Sequence, residues 1–159
     1  MKIIIEGADG SGKSTLVRYL SATTGYPVVH RSKPKNEEDR LNMMAEYKKA
    51  AESGSNEIWD RSFYSEMVYG KVMRDKSYIS SVDMIELEQI LSKKGAMVIF
   101  ATGDANDLWH NCKSRGETYI ESVEQIWELD NEFNKLFFSK LHLLPITIYN
   151  IKYGSVPTL

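Results

Sequence analysis

The sequence has little cysteine, no long hydrophobic run and no excess of positive charge. Its 159 residues include one cysteine, Cys112, which excludes an internal disulfide framework. The three histidines are scattered, and the local sequence predicts no metal cluster around them. Sparse cysteine suits a reducing compartment, and we therefore expect a cytoplasmic protein.

The missing hydrophobic run excludes a membrane-spanning helix of ordinary length. The first residues are predicted to form a β-strand rather than a signal peptide. Acidic side chains outnumber basic ones by 22 to 20, which gives a net charge of −2. A dedicated nucleic-acid binder normally carries a basic stripe instead. We therefore expect neither a membrane nor a nucleic-acid polymer among the partners.

What the sequence does contain is a complete phosphate-binding loop of the form GxxxxGK[ST] at residues 7–14. A β-branched run precedes it and a helical pattern follows, which is the context that the motif requires. It predicts an ATP site in which Lys13 reaches the β- and γ-phosphates and the Ser14 hydroxyl binds Mg²⁺. The nucleotide-binding residues predicted in this stretch are Gly7, Asp9, Gly10, Ser11, Gly12, Lys13, Ser14 and Thr15.

Strand-like and helical segments alternate along the chain. This pattern predicts an α/β fold, the three-layer P-loop NTPase fold, with a five-stranded parallel sheet and helices on both faces, in a single domain over 1–159. We place strands at 2–6, 27–30, 57–60, 96–101 and 146–151. Helices are predicted directly after the phosphate loop and over about 37–53, 63–74, 82–93 and 120–140. The last helix has an apolar stripe, which we interpret as core rather than as a base-stacking platform: Ile120, Val123, Trp127, Phe133 and Phe137.

A second signal lies where the third predicted strand ends in Asp60, followed by Arg61 and Ser62. An acid at this position can hold Mg²⁺ or its water shell opposite Ser14, and the Arg61 guanidinium can pair with phosphate. Asp60 and Ser62 could instead only cap the next helix. Beside a phosphate loop we favour the catalytic interpretation, with Lys13, Asp60 and Arg61 as catalytic residues. The predicted metal ligands are Ser14 and Asp60.

Two cationic clusters follow other elements. The first places three cations in five residues after the second strand, beginning with Arg31, as expected where a second anionic ligand docks. For Lys35 we prefer a solvated loop, and for Arg31 both interpretations stay open. The second cluster joins two helices and predicts a short lid around 112–121. A cationic segment carrying Lys113 and Arg115 can close over the triphosphate there, with Arg115 as a catalytic residue and Lys113 as a nucleotide contact.

These motifs together resemble the thymidylate kinase branch of the P-loop nucleoside and nucleotide kinases. Residues 5–15 are very close to the N-terminal signature of that family. Residues 60–70 resemble its DR[YFS]…S…Y signature, and residues 113–121 resemble its lid. Family members are usually longer, so the chain is similar to a trimmed member. The stretch 36–56 is too short for the usual base-binding helix, and the base of the acceptor is not predicted.

The resemblance implies roles residue by residue. Asp9 matches a carboxylate that contacts the 3′-hydroxyl of the acceptor deoxyribose, and Arg61 matches an arginine on the acceptor phosphate. Asp60 matches an acid linked to Mg²⁺ and water. Arg31 lies near the cation that follows the second strand in the family, and Arg115 matches the lid arginine.

We therefore expect ATP-dependent, Mg²⁺-dependent phosphoryl transfer to a (deoxy)nucleoside monophosphate, which gives the diphosphate and ADP. The acceptor phosphate is already a nucleophile at neutral pH, so no strong general base is needed. A deoxynucleoside kinase stays open, although the end of the second strand carries His30 and Arg31 rather than a carboxylate. A P-loop ATP-binding regulatory protein is a third possibility. By resemblance we also expect a homodimer, formed through the helix from Val82 or the helix from Phe63.

Overall fold

The computed structural model describes residues 1–31, 34 and 36–154. Five parallel strands form one sheet: β1 (Lys2–Glu6), β2 (Val28–His30), β3 (Glu57–Asp60), β4 (Met97–Thr102) and β5 (Ile146–Asn150). Their order across the sheet is β2-β3-β1-β4-β5. The central strand β1 therefore pairs with both β3 and β4. The predicted five-stranded parallel sheet is confirmed.

Six helices connect the strands: α1 (Lys13–Thr24), α2 (Glu37–Glu52), α3 (Phe63–Arg74), α4 (Ser81–Ser92), α5 (Ala105–Ser114) and α6 (Val123–Ser139). Five of them begin at a polar side chain that accepts a hydrogen bond from a backbone N–H of the first turn: Asn36, Ser62, Ser80, Asp104 and Ser122. The exception is α1, which begins at Gly12 with no side-chain cap. Its first N–H groups are left for another acceptor.

The sheet separates two cores because successive strand residues point to opposite faces. Ile3 and Ile5 of β1 pack on one face with Leu16 and Leu20 of α1. Ile4, between them, packs on the other face in the larger core with apolar side chains of α2 to α6. All three β1 isoleucines are fully buried. The result is the predicted arrangement of helices on both faces of a parallel sheet.

The prediction for the last helix is wrong at its start. Ile120 is buried but lies before α6, which begins at Val123. The apolar stripe predicts Trp127 in the core, yet 60% of Trp127 is exposed. The buried face of α6 instead repeats at helical spacing through Ile126, Leu129, Phe133, Leu136 and Phe137. Trp127 lies about 100° around the helix from Ile126 and therefore falls outside that face.

The carboxyl ends of β1, β2 and β3 share one edge of the sheet, and β1 runs directly into the phosphate loop there. No helix within the described residues is long and apolar enough to cross a membrane. The homodimer stays a prediction. Of the two helices named for it, α4 exposes Val82 and Ile85, whereas α3 buries most of its apolar side chains.

Candidate functional site

The phosphate loop joins β1 to α1 in a backbone conformation that requires glycine. Gly7 and Gly10 have φ angles of 143° and 77°. A Cβ on Gly7 would lie 2.0 Å from the carbonyl oxygen of Ala101, and one on Gly10 would lie 2.1 Å from that of Leu108. The loop is thus pressed against β4 and α5 by backbone contacts. Its N–H groups and the uncapped start of α1 form an anion-binding concavity.

Lys13 lies inside this concavity and is almost fully buried. Its ammonium donates to the carbonyl oxygen of Ala8 at 2.5 Å. Burial, followed by the nearby Arg61, lowers the pKa of Lys13 to about 7. Ser14 and Thr15, the next two residues, are exposed at the start of α1. The loop residues predicted to bind nucleotide therefore lie together in one continuous structure.

Asp9 is the centre of a second cluster beside the loop. Arg61 donates through Nη2 to Oδ1 of Asp9 at 2.6 Å, and the Tyr69 hydroxyl donates to Oδ2. Tyr119, from the segment between α5 and α6, also helps to lower the pKa of this carboxylate. Burial alone raises the pKa of Asp9, but Arg61 and Lys13 outweigh it and hold the pKa below its usual value. Asp9 is therefore an ionised and well-positioned anchor for Arg61.

Arg61 is held in place from several sides. It has a positive φ of 69°, an unusual conformation for a residue with a side chain. Its backbone N–H donates to the Ile5 carbonyl at 3.1 Å. Its guanidinium carbon lies 4.8 Å from the centre of the Tyr69 ring. The guanidinium is thus pre-positioned between the phosphate loop and α3.

Glu6 is a buried residue of the candidate site that sequence reasoning missed. It is fully buried at the end of β1 and accepts hydrogen bonds from Ser62 at 2.7 Å and Ser65 at 2.5 Å. Burial raises the pKa of Glu6, although the two serine hydroxyls and Arg61 oppose the effect. Glu6 ties the start of α3 to the phosphate loop. A charged residue ending an apolar strand directly before the loop was the available signal.

Asp60 ends β3 and pairs with His30, which ends β2 in the same register. Their Nδ1 and Oδ2 atoms are 2.9 Å apart, and Asp60 is mostly buried while His30 is exposed. A carboxylate and a hydroxyl are the hard oxygen donors that Mg²⁺ prefers, and Mg²⁺ commonly keeps several waters. Asp60 and Ser14 therefore have suitable chemistry for Mg²⁺. Within the described residues no group of three or more His, Cys, Asp or Glu forms a metal cluster.

A pocket of about 160 Å³ opens beside Arg61 and carries three arginines; we call it the arginine pocket. It is lined by Arg31, Pro34, Met43, Tyr47, Arg61, Ser62, Ser65, Glu66, Tyr69, Met73, Arg74 and Tyr119. The Arg31 guanidinium stacks over Trp59 at 4.6 Å. Its buried Nε–H meets no acceptor among the described residues. Ser32, Lys33 and Lys35 of the same predicted cluster lie outside those residues.

The far wall of the arginine pocket comes from α3 and was not predicted. Glu66 accepts a hydrogen bond from Arg74 at 2.5 Å and another from the backbone N–H of Tyr78 at 3.2 Å. Five pocket residues are related by three- and four-residue steps, which places them on one side of α3 from its N-cap to its last turn: Ser62, Ser65, Glu66, Tyr69 and Met73. The helical spacing of these residues can be read from the sequence, but the sequence does not show that they face a pocket.

The two cations of the predicted lid lie apart from the phosphate loop and from the cluster around Asp9, whereas Tyr119 of the same lid lines the arginine pocket. Lys113 and Arg115 are exposed at the end of α5. The Lys113 ammonium lies 4.3 Å over the Trp109 ring, and none of the described residues pairs with the Arg115 side chain. α5 itself is attached to the phosphate loop, because Asn111 donates to the Gly10 carbonyl at 2.9 Å. The structure thus brings Lys13, Asp9 and Arg61 together and leaves Arg115 in solvent.

The fold and the phosphate loop together define a protein with a P-loop nucleoside and nucleotide kinase-like fold. Solved structures share this architecture. Deoxyadenosine kinase from M. mycoides, with products dCMP and a flexible dCDP bound, aligns over 94% of this chain and 89% of its own, with a TM-score of 0.65 and 20% identity. The same kinase with bound dATP gives a TM-score of 0.67 over 96% of this chain and 92% of its own, again at 20% identity. The predicted fold class is confirmed.

A nearer relationship exists with a Bacillus subtilis (strain 168) protein, the SPbeta prophage-derived uncharacterized protein YorR. It is 30% identical over 132 residues, which cover 82% of this chain and 79% of YorR. The crystal structure of YorR from Bacillus subtilis, in complex with phosphorylated GDP, aligns over 94% of this chain and 85% of its own, with a TM-score of 0.79 and 25% identity. No protein-family model matches the chain. The chain belongs to the YorR family.

Proposed function

We propose that this protein transfers the γ-phosphoryl group of ATP to the phosphate of a (deoxy)nucleoside monophosphate, giving ADP and the nucleoside diphosphate. One observation carries the proposal: Arg31, Arg61 and Arg74 line a single pocket next to the phosphate loop. Only Glu66 among the twelve lining residues is acidic. Arg61 and Arg74 are ion-paired with Asp9 and Glu66 and are thereby held in place, while Arg31 stacks over Trp59. Three positioned guanidiniums, each a planar set of N–H donors, suit an acceptor that carries a phosphate.

The phosphate loop and the group of residues around Asp9 would bind different parts of the two substrates. Lys13 and the loop N–H groups would hold the β- and γ-phosphates of the donor. Arg61, anchored on Asp9, would hold the acceptor phosphate in line with the transferred group. Ser14 and Asp60 would hold Mg²⁺, which when bound neutralises charge on the phosphates. Arg115 would add charge at the transferred phosphoryl group when the segment around it closes.

A nucleoside kinase is the second candidate, and the pair of Asp60 and His30 favours it. A sugar hydroxyl must lose its proton to attack ATP, and a carboxylate bonded to an imidazole can accept that proton. The 2.9 Å contact between these residues lies at the carboxyl edge of the sheet, where a base would be needed. The kinase-like fold is compatible with either acceptor.

The deciding experiment measures ADP release with each nucleoside and each monophosphate, in ribose and deoxyribose forms, followed by mass analysis of the product. The complex of YorR with phosphorylated GDP is a reason to test GMP and dGMP first. We expect monophosphates to stimulate ADP release and to become diphosphates. Stimulation by nucleosides alone, with monophosphates as products, would select the second candidate.

The control for that experiment is Lys13→Ala, which should remove acceptor-stimulated ADP release in a folded protein. ADP release that neither nucleosides nor monophosphates stimulate would contradict both candidates and favour a regulatory ATP-binding protein.

A further inference from the structure

A buried ion pair joins α4 to residues 140–145, the stretch between α6 and β5 that we call the α6–β5 segment. Glu88 of α4 is fully buried, and only 3% of the His142 side chain is exposed. Nδ1 of His142 lies 2.7 Å from Oε1 of Glu88. Neither residue lines the arginine pocket. A buried charge is costly unless it is paired and hydrogen-bonded, so each partner depends on the other.

The Glu88 carboxylate accepts hydrogen bonds at both of its oxygens. The Tyr64 hydroxyl of α3 donates to Oε1 at 2.6 Å, and the backbone N–H of Leu143 donates to Oε2 at 2.7 Å. Burial alone raises the pKa of Glu88, but the bonds from His142, Leu143 and Tyr64 outweigh it and hold the pKa below its usual value. Glu88 is therefore an anion that connects α4 to α3 and to the α6–β5 segment.

His142 is surrounded by acceptors at both ring nitrogens. Its Nε2 atom lies 2.8 Å from the carbonyl oxygen of Leu136 in α6, while Nδ1 faces Glu88. A carbonyl oxygen only accepts, and an ionised carboxylate also only accepts, so both nitrogens carry a hydrogen. An imidazole with two N–H donors is the protonated, cationic form. Burial and Lys140 lower the pKa of His142, but the bonds to Glu88 and Leu136 outweigh them and raise it.

The other groups that face His142 do not carry a negative charge. The rings of Tyr64 and Phe137 pack beside the imidazole, with centroids 6.0 and 5.5 Å away. Burial raises the pKa of Tyr64 well above its usual value, so its hydroxyl stays neutral. Lys140, in the same segment, donates to the Ser81 hydroxyl at 3.0 Å. Glu88 is therefore the charge that the His142 proton balances.

The arginine pocket contains a comparable arrangement with a permanent cation. Glu66 is buried on α3, pairs with Arg74, and accepts the backbone N–H of Tyr78 at 3.2 Å. In both places a buried helical carboxylate holds a backbone N–H of another segment and pairs with one cation. An arginine keeps its charge at every relevant pH, whereas a histidine loses it near neutrality.

We propose that the proton on His142 locks the α6–β5 segment against α3 and α4, and that its loss at alkaline pH opens this segment reversibly. Without the proton, Glu88 is a buried anion that has lost its cationic partner, and water can reach it only if His142 and Leu143 move away. The opening should end at Pro145, whose carbonyl accepts from the Val98 N–H of β4 at 2.9 Å. The proposal goes beyond the proposed function and does not depend on it.

The expected pH range follows from the directions of the two pKa shifts. The pKa of His142 is raised from 6.5, so its contribution is complete below pH 6.5 and is lost as the pH rises through the pKa of the closed state. The pKa of Glu88 is lowered from 4.5, so its contribution is present above pH 4.5 and is lost as the pH falls. The segment should be most firmly held between these two values.

Hydrogen exchange of the Leu143 amide tests the proposal in the wild-type protein without any ligand. Dividing the intrinsic exchange rate by the measured rate removes the base catalysis of exchange and gives a protection factor. For Leu143 this factor should fall up to about tenfold per pH unit above pH 6.5 and then level off, because the open state has lost one proton. The Tyr78 amide is the matched control, and its protection factor should not change over the same range. A flat profile for Leu143, or parallel profiles for both amides, would overturn the proposal.

Two substitutions identify the responsible group. Glu88→Gln keeps the size of the side chain but removes the charge, so the pH dependence of Leu143 protection above pH 6.5 should disappear. Tyr64→Phe removes a hydrogen bond from Glu88 and leaves the ion pair, so the pH dependence should remain. A full pH dependence in folded Glu88→Gln would assign it to another group and overturn the proposal. If Glu88→Gln does not fold, the comparison of Leu143 with Tyr78 in the wild type decides alone. None of these measurements uses a nucleotide, so their outcome is independent of whether the proposed kinase activity is found.

Discussion

The phosphate loop and the arginine pocket lie side by side but are built in opposite ways. The loop is one continuous stretch, residues 7–15, and its neighbours contribute backbone contacts that set its shape. The pocket is assembled from side chains far apart in the chain, from Arg31 to Tyr119. A local motif therefore specifies the first region, whereas the second exists only after the chain has folded.

The two regions also hold their positive charge differently. The pKa of Lys13 in the loop is lowered to about 7, by burial first and then by Arg61. Burial alone would lower the pKa of Arg61 as well, but Tyr69 and Asp9 outweigh it and raise that pKa above its usual value. The loop thus carries a charge that depends on what is bound, while the pocket carries a permanent one.

The largest expected effect comes from removing the charge of the loop. Lys13→Ala should lower phosphoryl transfer roughly 10³-fold, because one preorganised donor at developing charge contributes about 3–4 kcal/mol. The fold should survive, since a buried ammonium is removed rather than an apolar contact. Turnover and thermal melting of the same preparation are the measurements. If Lys13→Ala is unfolded, Lys13 is needed for the fold. If Lys13→Ala is folded and keeps full turnover, Lys13 does not have the role proposed for it.

The next effect concerns the shape of the loop. Gly10→Ala should destabilise the protein by about 3 kcal/mol, the upper end for a strained backbone position, because the new Cβ would meet the Leu108 carbonyl at 2.1 Å. Gly25→Ala is the matched control, with a similar φ of 72° but nothing within 4 Å. It should cost about 1 kcal/mol. Equal losses in urea unfolding would show that φ alone, and not the contact with α5, restricts Gly10.

The contrast between the regions also explains what could be predicted from the sequence. The phosphate loop, the strands and the run of Asp60, Arg61 and Ser62 are contiguous patterns, so their presence was readable. The bond of Tyr69 to Asp9 and the burial of Glu6 depend on which face of α3 meets the loop. Packing between elements that are far apart in the chain determines which face of α3 meets the loop, and this packing cannot be read from a single sequence. Trp127 was misplaced for the same reason.

The pocket should respond to a single change less than the loop does. Arg61→Ala is expected to lower kcat/KM for the acceptor about 100-fold, corresponding to about 2.7 kcal/mol, with MgATP affinity changed less than threefold. Asp9 would lose its closest charged partner, but Arg31 and Arg74 would still line the pocket. Arg61→Lys is the control, and should recover only part of the loss because it lacks the planar fork. Equal losses for acceptor and MgATP would mean that Arg61 serves the loop instead.

The smallest expected effect is the number of protons taken up when a ligand binds. This number distinguishes the charge of Lys13, which depends on what is bound, from the permanent charge of Arg61. With a pKa of about 7 in the free protein, Lys13 holds about 0.1 proton at pH 8 and about 0.9 proton at pH 6. Bound phosphates favour the charged form. MgATP binding should therefore take up about 0.9 proton at pH 8 and about 0.1 at pH 6, relative to Lys13→Arg, which stays protonated throughout.

Calorimetry in two buffers of different ionisation enthalpy measures this uptake. Because the wild type and Lys13→Arg bind the same MgATP, protons released by the nucleotide itself cancel in the difference between them. A monophosphate acceptor should take up no proton at pH 8, because Arg61 is protonated before and after binding. Equal proton uptake on binding MgATP and on binding the monophosphate would show that the monophosphate also changes the protonation of Lys13. The distinction between a ligand-dependent charge in the loop and a permanent charge in the pocket would then be wrong.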